Sequence, residues 1–133
     1  MTDRVDASSL GQPVTAQMLT TMGMDWERLR DLSGGLAEFE LELLAMFVED
    51  TQLHVDAAKA AIKTQNFTQL GREAHQIKGA SANVGAIPMQ QAAAQLEQQA
   101  KQQALDRVDE LLATLQAWLM ALRTYVQQTN TPT

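Results

Sequence analysis

The sequence predicts an all-α fold: an antiparallel four-helix bundle with an additional short N-terminal helix capping one end. Three observations predict it. The chain is rich in Ala, Leu, Gln, Glu and Met, all good helix formers, and carries only seven glycines, three prolines and 5% aromatic residues. Four long segments place apolar residues at steps of three and four, the spacing of one buried helix face. The connections between them are short, so successive helices become antiparallel neighbours. With 133 residues the chain makes one domain with a core of useful size.

Residues 1–24 read as an N-terminal arm, partly flexible, with a short helix over Val14 to Met22. The bundle proper spans residues 25–127. Asp25 is a natural N-cap, and Trp26, Leu29 and Leu32 form a small apolar face ahead of the stop at Ser33-Gly34-Gly35. A long helix follows from Leu36 to Thr64, with an expected core stripe of Leu36, Phe39, Leu43, Met46, Phe47, Leu53, Ala57, Ala58 and Ala61. Asn66 caps the next helix, with Gln69 placed for a capping box. Its stripe is Phe67, Leu70, Ala74, Ile77, Ser81 and Val84, and Asn83-Val84-Gly85 ends it. Pro88 suits the first turn of another helix, which turns Met89, Ala92, Ala93, Leu96 and Ala100 inward. The Gln-rich stretch from Gln90 to Gln103 keeps this spacing and reads as a solvated helix face. Asp106 opens the last helix, whose stripe runs from Val108 through Leu115 and Leu122 to Val126. Residues 128–133 form a polar tail.

Composition excludes several functions. There is no cysteine, hence no disulfide framework, thiolate nucleophile or cysteine zinc site, and two histidines leave little room for a histidine-rich metal centre. Ten basic residues against sixteen acidic ones give a net charge of −6, the wrong sign for a nucleic acid or an anionic membrane surface. No apolar run approaches the roughly 18 residues that span a bilayer, and the first residues lack the pattern of a secretory signal. A cytoplasmic monomer is expected.

One stretch departs from ordinary bundle sequence: Ala74-His75-Gln76-Ile77-Lys78-Gly79-Ala80-Ser81-Ala82-Asn83-Val84-Gly85-Ala86. On a helix, His75 lies roughly 130° from the centre of the core stripe and should be exposed. Its surface neighbours, three and four positions away, are Gly71, Arg72, Lys78 and Gly79. Each glycine inside a helix costs about 1 kcal/mol relative to alanine. What the glycines provide is clearance around the imidazole. Lys78 and Arg72 bring positive charge within reach. An accessible ring nitrogen with a nearby ammonium is suited to accepting a phosphoryl group, whose charge of about −2 needs a counter-ion.

The string from His75 to Ala86 resembles the signature of histidine-containing phosphotransfer domains: His, two residues, Lys-Gly, one residue, Ser, three residues, Gly-Ala. Every motif position matches. Ala80 departs from the serine common at that position. The resemblance extends more loosely from Asp25 to Val126, including the Leu32 to Gly35 turn and Phe47-Val48-Glu49-Asp50; residues 1–24 match nothing in the pattern.

The resemblance implies a four-helix bundle that relays phosphoryl groups between the aspartates of receiver domains, those of a hybrid histidine kinase or a response regulator. It implies His75 as phospho-acceptor and Lys78 as the charge that stabilises the phosphoryl oxygens. Gly79 would leave room for the partner, with Gly71, Arg72 and Ala82 as further docking candidates. Ser81 would bond back to its own helix, and Gly85 would stop it. No cofactor of its own is expected; Mg2+ would sit in the receiver's acidic pocket. No Gly-rich phosphate cradle is present for a nucleotide. The rival reading, a non-catalytic helical adaptor, fits composition and periodicity equally well, and only the His75 constellation separates the two. His54, on or near the core stripe, reads as a bundle histidine bonded to Asp50 or a backbone carbonyl.

Overall fold

The computed structural model describes residues 13–130. Residues 1–12 of the N-terminal arm and 131–133 of the tail lie outside them. Among the described residues there are six helices: α1 (Ala16–Met22), α2 (Trp26–Ser33), α3 (Ala37–Lys63), α4 (Phe67–Val84), α5 (Ile87–Lys101) and α6 (Val108–Asn130). Helices α3 to α6 form the bundle. Each packs on its neighbours in sequence, and α6 closes the ring against α3. The two short helices read before the bundle, over Val14 to Met22 and from Asp25 to the Ser33-Gly34-Gly35 stop, are present as α1 and α2, and α2 packs on both α3 and α4.

The helix ends follow local chemistry. Asp25 Oδ1 accepts from the Glu27 N–H at 3.2 Å, and Asn66 Oδ1 accepts from the Gln69 N–H at 3.0 Å. The capping box at Asn66 is only half made, because the Gln69 side chain donates to Glu73 instead of reaching back. Gly34 and Gly35 turn the chain between α2 and α3 at φ values of 70° and 85°.

The core stripes of α4, α5 and α6 lie where the periodicity puts them. Leu70, Ala74, Ile77, Ser81 and Val84 are buried, with Phe67 half-buried at the start of α4. Met89, Ala92, Ala93, Leu96 and Ala100 are all buried. The stripe of α3 is a correction. Its buried face is Leu44, Phe47, Val48, Thr51, Val55, Ala58 and Ala61, while Leu36, Phe39, Met46 and Leu53 are exposed. Helix α3 carries two apolar stripes, both at helical spacing, and packing against α4 and α6 buries only one. Leu32, placed in the α2 face with Trp26 and Leu29, is likewise exposed.

The first two helices are tied to one end of the bundle. Leu19 and Met24 join the core, and Trp26 stacks at a tilt on Tyr125 with ring centroids 5.5 Å apart. The Asp25 N–H donates to the Gly85 carbonyl at 2.8 Å, part of a bridge between Met24 and Ala86. Arg28 Nη1 donates to the Ala82 carbonyl at 3.3 Å. The end of the His75 segment is thereby a structural joint, held to the N-terminal helices by a backbone hydrogen bond and by the Arg28 side chain.

Candidate functional site

Helix α4 carries the site because its sequence leaves one face open. The side chains of Leu70, Ala74 and Ile77 point inward, which leaves Gly71, Arg72, His75 and Gln76 toward α5 and solvent. His75 is exposed, its side chain at 63% of full accessibility. Its Nδ1 lies 3.0 Å from Glu97 Oε2 on α5, and Lys78 Nζ donates to the other oxygen, Oε1, at 2.7 Å. Glu97 thus bridges the two residues of α4 on which the chemistry would rest. Its own side chain is 14% accessible.

The charge state of this triad follows from the contacts. The hydrogen bond from Lys78 holds the Glu97 carboxyl below its ordinary range, outweighing its burial, and His75 adds to the effect. Glu97 is therefore a carboxylate near neutral pH and accepts both hydrogen bonds. The nitrogen facing it, Nδ1, must be the one bearing hydrogen, which leaves the lone pair of a neutral imidazole on Nε2.

The glycines differ in what surrounds them. A Cβ built on Gly79 would meet no atom within 4 Å, and the residue is exposed on a regular helix. Neither backbone conformation nor packing asks for glycine there. A Cβ on Gly71 would lie 3.6 Å from the Ala100 Cβ, an ordinary contact at the floor of a groove between α4 and α5. That groove brings Gly71, Arg72, His75 and Glu97 together. Gly79 and Ala82 do not line it, and Ala82 is half-buried, with its carbonyl held by Arg28.

Because nothing in the fold uses Gly79, replacing it separates stability from docking. Gly79→Ala is expected to raise stability by up to about 1 kcal/mol through helix propensity. Gly79→Leu keeps that gain in part but puts bulk beside His75 and should weaken receiver binding. Thermal denaturation and the receiver Kd measure the two effects; equal Kd values for wild type and Gly79→Leu would show that the glycine does not provide clearance.

Two expectations about neighbouring residues are corrected. Ser81 is fully buried, but its hydroxyl has no hydrogen-bond partner, so it does not bond back to its own helix. Small size is what suits it to the α4 core stripe. His54 is half-buried and meets Glu73 of α4, with Nδ1 2.6 Å from Oε1; Asp50 Oδ2 is farther, at 3.6 Å from Nε2. It links α3 to α4 through a carboxylate that helical spacing within α3 could not reveal. Glu97 was also missed. The available signal was compositional: it is the one carboxylate among the glutamines from Gln90 to Gln103.

The sequence model of the Hpt domain matches residues 42–127. The chain belongs to the Hpt domain family. A crystal structure of histidine-containing phosphotransfer protein B from Pseudomonas aeruginosa superposes with a TM-score of 0.72 at 25% identity, covering 80% of this chain and 93% of that one. No curated protein matches the chain. The Hpt match takes in the long helix from residue 42 onward, the whole of α4 and α5, and α6 to within a few residues of its end. This Hpt chain is a histidine phosphotransfer protein of phosphorelay signalling, a carrier of phosphoryl groups that interacts with receiver domains. No helix among its described residues is long and apolar enough to cross a membrane.

Proposed function

We propose that His75 is the phosphoryl acceptor, that Nε2 is the reacting nitrogen, and that Glu97 and Lys78 prepare it. The observation that carries this is the exposed imidazole bonded through Nδ1 to a carboxylate that also holds the lysine. A phospho-aspartate of a receiver, from a hybrid histidine kinase, comes in over Gly79. The Nε2 lone pair forms a bond to phosphorus. The bond from phosphorus to the aspartyl oxygen breaks, and its electron pair leaves with the carboxylate. The ring gains positive character as the N–P bond forms, and the Glu97 carboxylate, already on Nδ1–H, stabilises it. Transfer to the aspartate of a response regulator is the reverse.

Lys78 is placed to serve the phosphoryl oxygens. Its ammonium lies one helical turn from His75 and can move from Glu97 toward negative charge on the incoming group. The groups around His75 are cations and a carboxylate with both oxygens engaged, so we assign the Mg2+ ion and the rest of the catalytic apparatus to the receiver's acidic pocket. Acidic composition and the lack of cysteine fit a monomeric carrier working in the cytoplasm.

The direct test is to mix the chain with a labelled phospho-receiver. Label should appear on the chain as an acid-labile, alkali-stable phosphoramidate, and NMR of the ring nitrogens should place it on Nε2. Label on Nδ1 would overturn the role given to Glu97. Lys78→Ala should slow single-turnover transfer by roughly one to two orders of magnitude while the fold stays intact. Lys78→Arg should restore part of that rate, since a planar fork places its charge differently from a compact ammonium. Transfer by Lys78→Ala at the wild-type rate would reduce the lysine to a surface charge.

A further inference from the structure

The groove beside His75 holds unpaired positive charge in a chain of net charge −6. It runs between the first half of α4 and the end of α5, with a volume of about 690 Å³. Gly71 and Ala100 make its floor, and Phe67 lends an apolar wall. Arg72 from α4 and Lys101 from α5 stand exposed at its rim. Among the described residues, every other cation except Lys63 has a carboxylate or an amide oxygen as a partner. Arg72, Lys101 and Lys63 have none. Two of these three therefore line the groove that also contains His75. The one carboxylate in that groove, Glu97, is already occupied by His75 and Lys78.

We propose that this groove receives an acidic segment of the partner receiver while His75 reacts, with Arg72 and Lys101 pairing with its carboxylates. The proposal rests on the reading of His75 as acceptor. The occupant follows from shape and charge. The groove is open, its floor is built of small residues, and its two cations come from different helices at the rim. Such a site fits a protein segment with acidic side chains better than a single small anion, which needs donors converging on one point. It is continuous with His75, on which a receiver must sit for transfer to occur. A second copy of the chain is disfavoured, because each copy carries the same excess of negative charge.

Rim charges act mainly on association and its salt dependence. The test uses the receiver domain that labels the wild-type chain fastest. Transfer is measured for wild type, Arg72→Gln, Lys101→Gln, the double variant and Lys63→Gln, each checked for unchanged melting. At low salt each groove variant should lower kcat/KM about threefold and the double variant about tenfold, with kcat within about twofold of wild type. At about 0.5 M salt the wild type and the double variant should converge, since screening removes the contribution of exposed pairs. Lys63→Gln makes the same change in net charge as either single variant and should transfer as wild type does.

The proposal is overturned if the double variant matches wild type at low salt, or if Lys63→Gln loses as much as Arg72→Gln. It is also overturned if inorganic phosphate, at constant ionic strength, abolishes the wild-type advantage, which would make the groove a small-anion site. Failure of the acceptor reading looks different: His75→Gln would then still take label, whatever the groove variants do.

Discussion

A chain carrying His75→Gln is expected to fold as the wild type does and to take no phosphoryl group from a receiver. The imidazole is exposed and lies off the core stripe of α4, and substitutions at such positions usually change stability by less than about 0.5 kcal/mol. Glutamine is the informative replacement. Its amide N–H can still donate to Glu97, so the carboxylate that also holds Lys78 keeps a partner. What it lacks is a second ring nitrogen with a free lone pair. The variant therefore removes the nucleophile and leaves the electrostatics around it. His75→Ala, which removes both, should behave identically in transfer. The measurement is label retained on the chain after acid-free separation from a phospho-receiver, together with thermal denaturation of both variants. Label on His75→Gln at the wild-type level would end the assignment. A large drop in melting temperature would mean that the imidazole is part of the packing and not a free group on its surface.

Among the described glycines, Gly85 is the one whose replacement by alanine should cost the most stability. Gly85 ends α4 with φ at 84°, a left-handed conformation that costs an L-residue roughly 1–2 kcal/mol. Space is the greater obstacle. A Cβ there would lie 2.0 Å from the Asp25 carbonyl oxygen, far inside contact distance. The oxygen is backbone and cannot swing away, because the neighbouring Asp25 N–H is bonded to the Gly85 carbonyl and Met24 is bridged to Ala86. The methyl group must therefore break this joint or distort it. A loss of about 3 kcal/mol or more is expected, lowering the melting temperature by roughly 10 °C. Trp26 fluorescence should report the loosening of α2 against Tyr125. A melting temperature within about 2 °C of wild type would show that α2 can shift at little cost and that Gly85 is only a helix stop. The two variants are complementary: one leaves the fold and stops the chemistry, the other weakens the fold without touching the acceptor.

How much of this was legible before folding depends on the range of the interaction involved. Helix identity, caps and stops are local, and Asp25, Asn66, Gly34 and Gly85 act within a turn of their own positions. The inward face of α4 was legible because that helix has one apolar stripe. The inward face of α3 was legible only at Phe47, Ala58 and Ala61, because Leu36, Phe39, Met46 and Leu53 repeat as regularly as Leu44, Val48 and Val55. Periodicity reports that a helix has an apolar face, and it cannot choose between two.

The sequence by itself determined the all-α bundle, the exposure of His75 and its one-turn spacing from Lys78, since each follows from the helical repeat within a single segment. Only the tertiary structure decided that Glu97, on another helix, joins these two residues, and that Asp25 meets Gly85. It also decided that Glu73 is the partner of His54, and that Arg72 and Lys101 share one groove. Each of these depends on the register and rotation of one helix against another. Those are set by the sum of many weak core contacts among residues such as Leu70, Ile77, Leu96 and Leu115, and no single segment of sequence contains that sum.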